Sequence, residues 1–206
     1  PYPTTTNPSG VALAISKDGN TLYGVNHNKL SIFNISNPRI QQKQSELPLE
    51  AGLFSPCLLL SQDDKSLFVL IGRHFLMIDV TNPNTPTQKY KEDYQADSPI
   101  FSMIASSDGK TLYTVTVKSL RIYDVSSSIP SSLTSISESI SSNYQWTSGM
   151  ALSKDNSVLA IGRITRINLY DVINPKKPNF ISSTYFEGQA RSIVFSHDRK
   201  TLLTSI

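Results

Sequence analysis

The chain has 206 residues, of which 38% are hydrophobic and 17% charged, so it can bury a sizeable core and is not of disordered composition. Nineteen basic against 16 acidic residues leave a net charge of +3 with no Lys/Arg run, and nothing in that balance argues for nucleic acid. No apolar stretch approaches the roughly 18 residues that a membrane helix needs, so no membrane insertion is expected in this segment.

Taken in chain order, the sequence writes the same line five times. The first unit opens with an apolar strand, "GVALAIS", turns at "KDGN", and continues with "TLY" at 21–23. A third strand, "LSIFNI", starts at Leu30, and "SNP" at 36–38 ends it. A more polar strand, "QQKQSEL", follows. The second unit repeats this with "PCLLLS", "SLF" at 66–68, "FLMIDV" from Phe75, "TNP" at 81–83 and "TQKYKEDY". The third has "FSMIASS", the turn "SDGK", "TLY" at 111–113 and "LRIYDV" from Leu120. The fourth has "GMALS", "VLA" at 158–160, "INLYDV" with Ile167 at its start, "INP" at 173–175 and "NFISSTYF". A fifth begins with "RSIVFS" and "TLL" at 201–203.

The aspartates of the Ser-x-Asp turns, Asp18, Asp63, Asp108, Asp155 and Asp198, are 45, 45, 47 and 43 residues apart. Twelve positions after each of the first four, the third strand begins. A period near 45 residues marks a repeat architecture. The runs are short, rich in Val, Ile, Leu, Tyr and Phe, and bounded by Asp, Gly, Asn, Ser and Pro, so they read as strands. Gly19 and Gly109 supply the positive φ that tight turns require. The Asn-Pro turns break the ladder, because proline has no N–H to donate. Four antiparallel strands per unit cannot bury their apolar faces alone, and radial stacking of such sheets gives a β-propeller. The expected fold is therefore all-β, a propeller of four-stranded antiparallel blades, four complete and half of a fifth. The blades fall at about 8–50, 51–97, 98–145, 146–189 and, in part, 190–206 of a single domain spanning 1–206. The innermost strands are expected to be the most apolar, with "LLLS" and "SIVFS" in that place, and Cys57, in "CLLLS", to be an inert core thiol. Four and a half blades rarely close a ring, and the chain opens on Pro1, so a piece of a longer polypeptide is expected, with closure by another chain as the rival.

Three lines carry a family resemblance. "FLMIDVTNPNTP" (75–86), "LSIFNISNP" (30–38) and "INLYDVINPKKP" (167–178) resemble the LVIVD repeat, a Leu-x-Ile-x-Asp-Val-Ser-Asn-Pro-x-x-Pro line within a propeller blade. The "S-x-D-G-x-T-L-Y" part is similar to blades of the broader YVTN/lactonase-like seven-bladed group, which includes surface-layer-like proteins. The third unit departs, with "DVSSSIP" in place of the Asn-Pro turn, and the first has Asn34 where the others have Asp. The resemblance implies a propeller often found on secreted or cell-surface proteins. Its motif residues shape turns and pack strands, so it says little about function.

The turns between second and third strands should share one propeller face, and each carries a basic residue or histidine: His27 and Lys29, Arg73 and His74, Lys118, Arg163 and Arg166. The blade crossings add Glu50, Asp97, Gln145, Trp146, Glu187 and Arg191. A one-sided basic ring would suit an anion such as an anionic glycan, a phosphate or an acidic protein loop. The plainer alternative is solvated loop tips. Trp146, with Tyr144 beside it, is either core or a sugar platform. Enzyme signals are poor. The histidines His27, His74 and His197 lie on three different blades, no H-x-x-x-H or Cys pair gives metal-ligand spacing, and no G-x-S-x-G turn occurs. The lactonase-like relatives that hold a metal use acidic and amide side chains at the ring mouth; Glu50, Asp97 and Glu187 are the candidates to supply carboxylates here, but charge at the right loop is weak evidence, and no metal or cofactor is expected. Asp79, Asp124 and Asp171 are expected to accept hydrogen bonds from turn amides rather than bind calcium. "NIS" at 34–36 makes Asn34 a glycosylation candidate. The segment 126–142, with 10 serines in 17 positions, is either a polar outer strand or an O-glycosylated edge.

The expected function is a non-catalytic binding or structural module, working with a protein partner or by self-assembly, at a cell surface or in an extracellular, even filamentous, assembly. The alternatives are a lactonase-like enzyme with its site at the ring mouth, and an intracellular, cytoplasmic scaffold subunit of a large complex.

Overall fold

The computed structural model describes residues 10–26, 28–51, 56–94, 100–116, 119–137, 149–163, 165–185, 187, 192–198 and 201–205. Among them every regular element is a strand. The fold is a β-propeller of four-stranded antiparallel blades. The chain divides into two compact units, Pro1–Ala96 and Asp97–Ile206.

The first unit holds two blades. One is β1 (Ala12–Ile15), β2 (Thr21–Val25), β3 (Lys29–Asn34) and β4 (Gln42–Pro48). The other is β5 (Cys57–Leu60), β6 (Ser66–Ile71), β7 (His74–Asp79) and β8 (Thr87–Asp93). The second unit holds β9 (Ile100–Ala105), β10 (Thr111–Thr116), β11 (Ser119–Asp124) and β12 (Ser131–Ser137), then β13 (Gly149–Leu152), β14 (Val158–Gly162), β15 (Arg166–Asp171) and β16 (Asn179–Tyr185). A two-stranded piece, β17 (Ser192–Phe195) and β18 (Leu202–Ser205), follows. Each sheet runs in chain order, and the first strands of successive blades are neighbours within each unit.

Packing follows from strand periodicity. Alternate residues face opposite sides of a blade, so a blade covered on both faces needs nearly unbroken apolar strands. In the first unit Tyr23, Val25, Leu30 and Ile32 of one blade pack with Leu67, Val69, Ile71, Leu76 and Ile78 of the next. The fourth blade shows the two-sided case. Met150, Leu159, Ile161 and Tyr170 join Tyr113, Val115, Leu120 and Ile122 of the third blade. Ala151, Ala160 and Ile167 pack with Ile193 on the other side. The deepest burial falls on the second and third strands: β5, wholly apolar in sequence, is half-buried throughout, while β6 is buried from Leu67 to Ile71. Middle strands are flanked by strands on both edges, and the innermost strand is not. Cys57 is accordingly half-buried rather than core, and burial pushes its thiol pKa up.

The repeated polar residues close turns. In every Ser-x-Asp turn the serine hydroxyl donates to the aspartate, as Ser16 to Asp18 at 2.5 Å and Ser106 to Asp108 at 2.6 Å. The same serine oxygen accepts the N–H five residues on, at Thr21, Ser66, Thr111, Val158 and Thr201. Asp79, Asp124 and Asp171 accept the N–H of Thr81, Ser126 and Ile173, as expected of them. The Asn-Pro turns are stapled one step later, where Asn37, Asn82 and Asn174 accept the N–H of Arg39, Asn84 and Lys176. The serine-rich segment is a polar outer strand over 131–137; residues 138–142 lie outside the described ones.

The tight turns alternate in chemistry. Gly19 and Gly109 take positive φ, at 73° and 69°. Asp64 and Asn156 stand at the matching place in the second and fourth blades, with φ of 57° and 60°. A non-glycine residue there is strained by about 1 kcal/mol or more. Its side chain links blades instead: Lys17 donates its N–H to Asp64 Oδ2 at 2.8 Å, and Ser107 donates its N–H to Asn156 Oδ1 at 2.8 Å. Asn156 Nδ2 also donates to Ser107 Oγ at 2.7 Å. Replacing Asn156 by glycine relieves the strain but removes two inter-blade hydrogen bonds of about 1 kcal/mol each. Urea unfolding should find Asn156→Gly no more stable than wild type, and Asn156→Ala lower by about 2 kcal/mol or more. A stabilised glycine variant would mean that the latch contributes less than the strain it imposes.

Candidate functional site

The end of the first unit that carries the turns between second and third strands gathers the strongest group of charges. β6 and β7 are joined by the two-residue turn Gly72–Arg73, in which Gly72 has φ of 60°. This turn sets Arg73 in solvent and His74 at the start of β7, only 7% exposed. The ladder pairs His74 with Asp93 at the end of β8. Asp93 Oδ1 lies 2.6 Å from His74 Nδ1. Glu50, just beyond β4 of the neighbouring blade, places Oε2 at 3.3 Å from His74 Nε2. Lys91 Nζ lies 2.6 Å from Glu50 Oε1 and 3.4 Å from Asp93 Oδ1.

The imidazole is thus held between carboxylates of two blades. A neutral ring has one N–H and can donate to only one of them; an imidazolium donates to both. The hydrogen bond from His74 holds the Asp93 carboxyl below its ordinary range. That from Lys91 does the same to Glu50, and Glu50 in turn raises the Lys91 ammonium. Lys91 already supplies a cation between the two carboxylates. Among the described residues no group of His, Cys, Asp and Glu is arranged to hold a metal ion.

The other expected site residues are spread out. Lys29 is half-buried at the start of β3 and pairs with Glu46 at 3.3 Å. Arg163 is not a solvated loop tip. It is fully buried just beyond β14, and its Nη1 donates to the Thr116 carbonyl of the third blade at 3.2 Å. Its own N–H donates to the Arg166 carbonyl at 2.8 Å, closing the turn. Arg166 is half-buried and Glu187 exposed. His27, Lys118, Trp146 and Arg191, with Asp97, Tyr144 and Gln145, lie outside the described residues. His197 is exposed in the turn between β17 and β18. Asn34 does the work of its aspartate counterparts, its Oδ1 accepting from the Ser36 N–H at 2.9 Å and hydroxyl at 2.7 Å. Asp93 and Lys91 escaped the sequence reading because on an outer strand they look like ordinary solvated charges. Asp93 stands opposite His74 in the ladder, and Lys91 reaches the cluster through Glu50 and Asp93.

No family model matches the chain, and no curated protein matches it in sequence. Solved structures match in shape. The periplasmic gluconolactonase PpgL of Pseudomonas aeruginosa aligns with a TM-score of 0.77 at 15% identity, over 94% of this chain and 62% of that one. A putative 6-phosphogluconolactonase of Bacteroides fragilis aligns with a TM-score of 0.72 at 13% identity, over 96% and 76%. The hydrazine synthase of Kuenenia stuttgartiensis gives 0.67 at 15% identity, over 93% and 67%. The chain therefore has a lactonase-like propeller fold. It spans about two thirds of the length of these proteins, and identities this low speak for fold alone.

Two outcomes follow from the site. Depressed carboxylates stabilise the folded state above their unfolded pKa, about 3.9 for Asp and 4.3 for Glu, and that stabilisation is lost as pH falls through the folded values. Asp93 and Glu50 share this direction with Asp18, Asp63 and Asp108, lowered first by their turn serines, with Asp124, lowered first by Ser126, and with Asp79, lowered by the Thr81 N–H. The urea midpoint should fall steeply below about pH 4, and a flat profile down to about pH 3 would contradict the assignment. Arg163→Met keeps the aliphatic stem and removes the clamp on Thr116. It should cost about 2–3 kcal/mol in the same measurement.

Proposed function

We propose that this chain is a non-catalytic propeller module that binds a protein partner or builds a structure, at a cell surface or in an extracellular assembly. One observation supports the reading above others. Three of the charged groups at the turns that would form a ring mouth are engaged within the protein, while Arg73 faces solvent. His74 has a carboxylate at each ring nitrogen, Lys29 sits on Glu46, and Arg163 is buried against the Thr116 carbonyl. A general base needs a nitrogen or carboxylate directed at a substrate proton, and both imidazole nitrogens already face partners. The resemblance to LVIVD repeats and surface-layer-like blades supports the surface location, and the Asn34 sequon fits a secreted route.

The rival is a lactonase-like hydrolase, favoured by the names of the structural neighbours and by the meeting of Glu50, His74 and Asp93. Glucono-1,5-lactone and its 6-phosphate separate the two readings. Incubation with the purified chain should leave both lactones hydrolysing at the buffer rate, followed by acid release. Hydrolysis above that rate, abolished by His74→Ala or Glu50→Gln in a variant that still melts cooperatively, would overturn the proposal.

A further inference from the structure

We infer that the outer strand of the fourth blade, β16, pairs antiparallel with β16 of a second copy of this chain, joining two blades into one continuous sheet. The inference rests on the binding or structural reading above and gives it a partner. Among the described residues β16 is hydrogen-bonded to β15 alone, so its outer edge presents unpaired N–H and C=O groups.

The four outer strands differ in how that edge is protected. β4 carries Lys43 and Glu46, and β8 carries Lys89, Lys91, Glu92 and Asp93. β12 and β16, "SSLTSIS" and "NFISSTY", carry no charge. Self-pairing of β8 would crowd lysines against each other, and self-pairing of β16 opposes no like charges. Between the two uncharged strands, apolar exposure decides. Leu133 and Ile136 of β12 are half-buried against their own core, whereas Phe180, Ile181 and Tyr185 of β16 are 58%, 50% and 71% exposed.

All four outer strands share a bulge against the third strand, where the pairing skips Gln44, Lys89, Leu133 and Ile181. A bulge alone therefore does not distinguish them. On β8 the extra residue is a lysine, which blocks an approaching strand; on β16 it is an isoleucine. The flanks set the direction. Exposed Lys176 and Lys177 precede β16, and exposed Glu187 follows it. An antiparallel second copy brings the lysines of each chain beside the glutamate of the other, at both ends of the paired strands.

Sedimentation equilibrium on the whole chain, up to about 100 μM, tests this. Wild type should associate as a dimer. Ile181→Lys and Thr184→Lys, two independent exposed positions, should each weaken the dimer by about tenfold or more while retaining the wild-type thermal transition. Gln42→Lys, on the already charged edge of β4, should leave it unchanged. A chain that stays monomeric overturns the inference, including where the edge takes a foreign strand instead. So does a dimer that survives both lysine variants or yields equally to Gln42→Lys. Lactone hydrolysis is read separately, so loss of this interface and failure of the non-catalytic reading are told apart.

Discussion

A small antiparallel sheet with two apolar faces has no stable existence by itself, and the structure is organised by that constraint. Alternate residues of a blade face opposite sides, and within each unit neighbouring blades pack on one another. The fourth blade meets it with large side chains such as Leu159, Ile161 and Tyr170 on one face and Ala151, Ala160 and Ile167 on the other. Neighbouring blades must then be held in register, and the polar residues do this at both ends of the strands. Asp64 and Asn156 tie adjacent Ser-x-Asp turns. At the other strand ends Glu50, His74 and Lys91 tie one pair of blades and Arg163 with Thr116 ties another.

This places chemistry-bearing residues in a structural role. A buried guanidinium or imidazole is tolerated only with partners close by, because desolvating a charged group costs several kcal/mol. Arg163 and His74 have such partners across a blade boundary, so at these two turns the basic residue joins neighbouring blades. The rim is the surface left over. There the blades differ most, from the charged edges of β4 and β8 to the uncharged β12 and β16.

The turn chemistry was legible in the sequence because it is local. Ser106 and Asp108 are two residues apart, and the serine reaches Thr111 five residues on, so spacing alone predicts the contact. The positive φ of Gly19 and Gly109 was equally legible, while that of Asp64 and Asn156 was hidden, since neither residue announces it. The cluster at His74 was half visible. Position 74 and Glu50 stood out as candidates, but their meeting with Asp93 and Lys91 depends on the β7–β8 register and on which blade packs next.

The sequence by itself determined the repeat, the strand order within a blade, the turns that close it and hence the propeller fold. These follow from periodicity and from contacts a few residues long. The tertiary structure decided which polar groups are buried and which face solvent. Arg163 and Thr116 are 47 residues apart in the chain, as are Asp64 and Lys17. Only the stacking of whole blades brings such pairs within a hydrogen bond, and that stacking, not the residue type, makes Arg163 an inter-blade clamp.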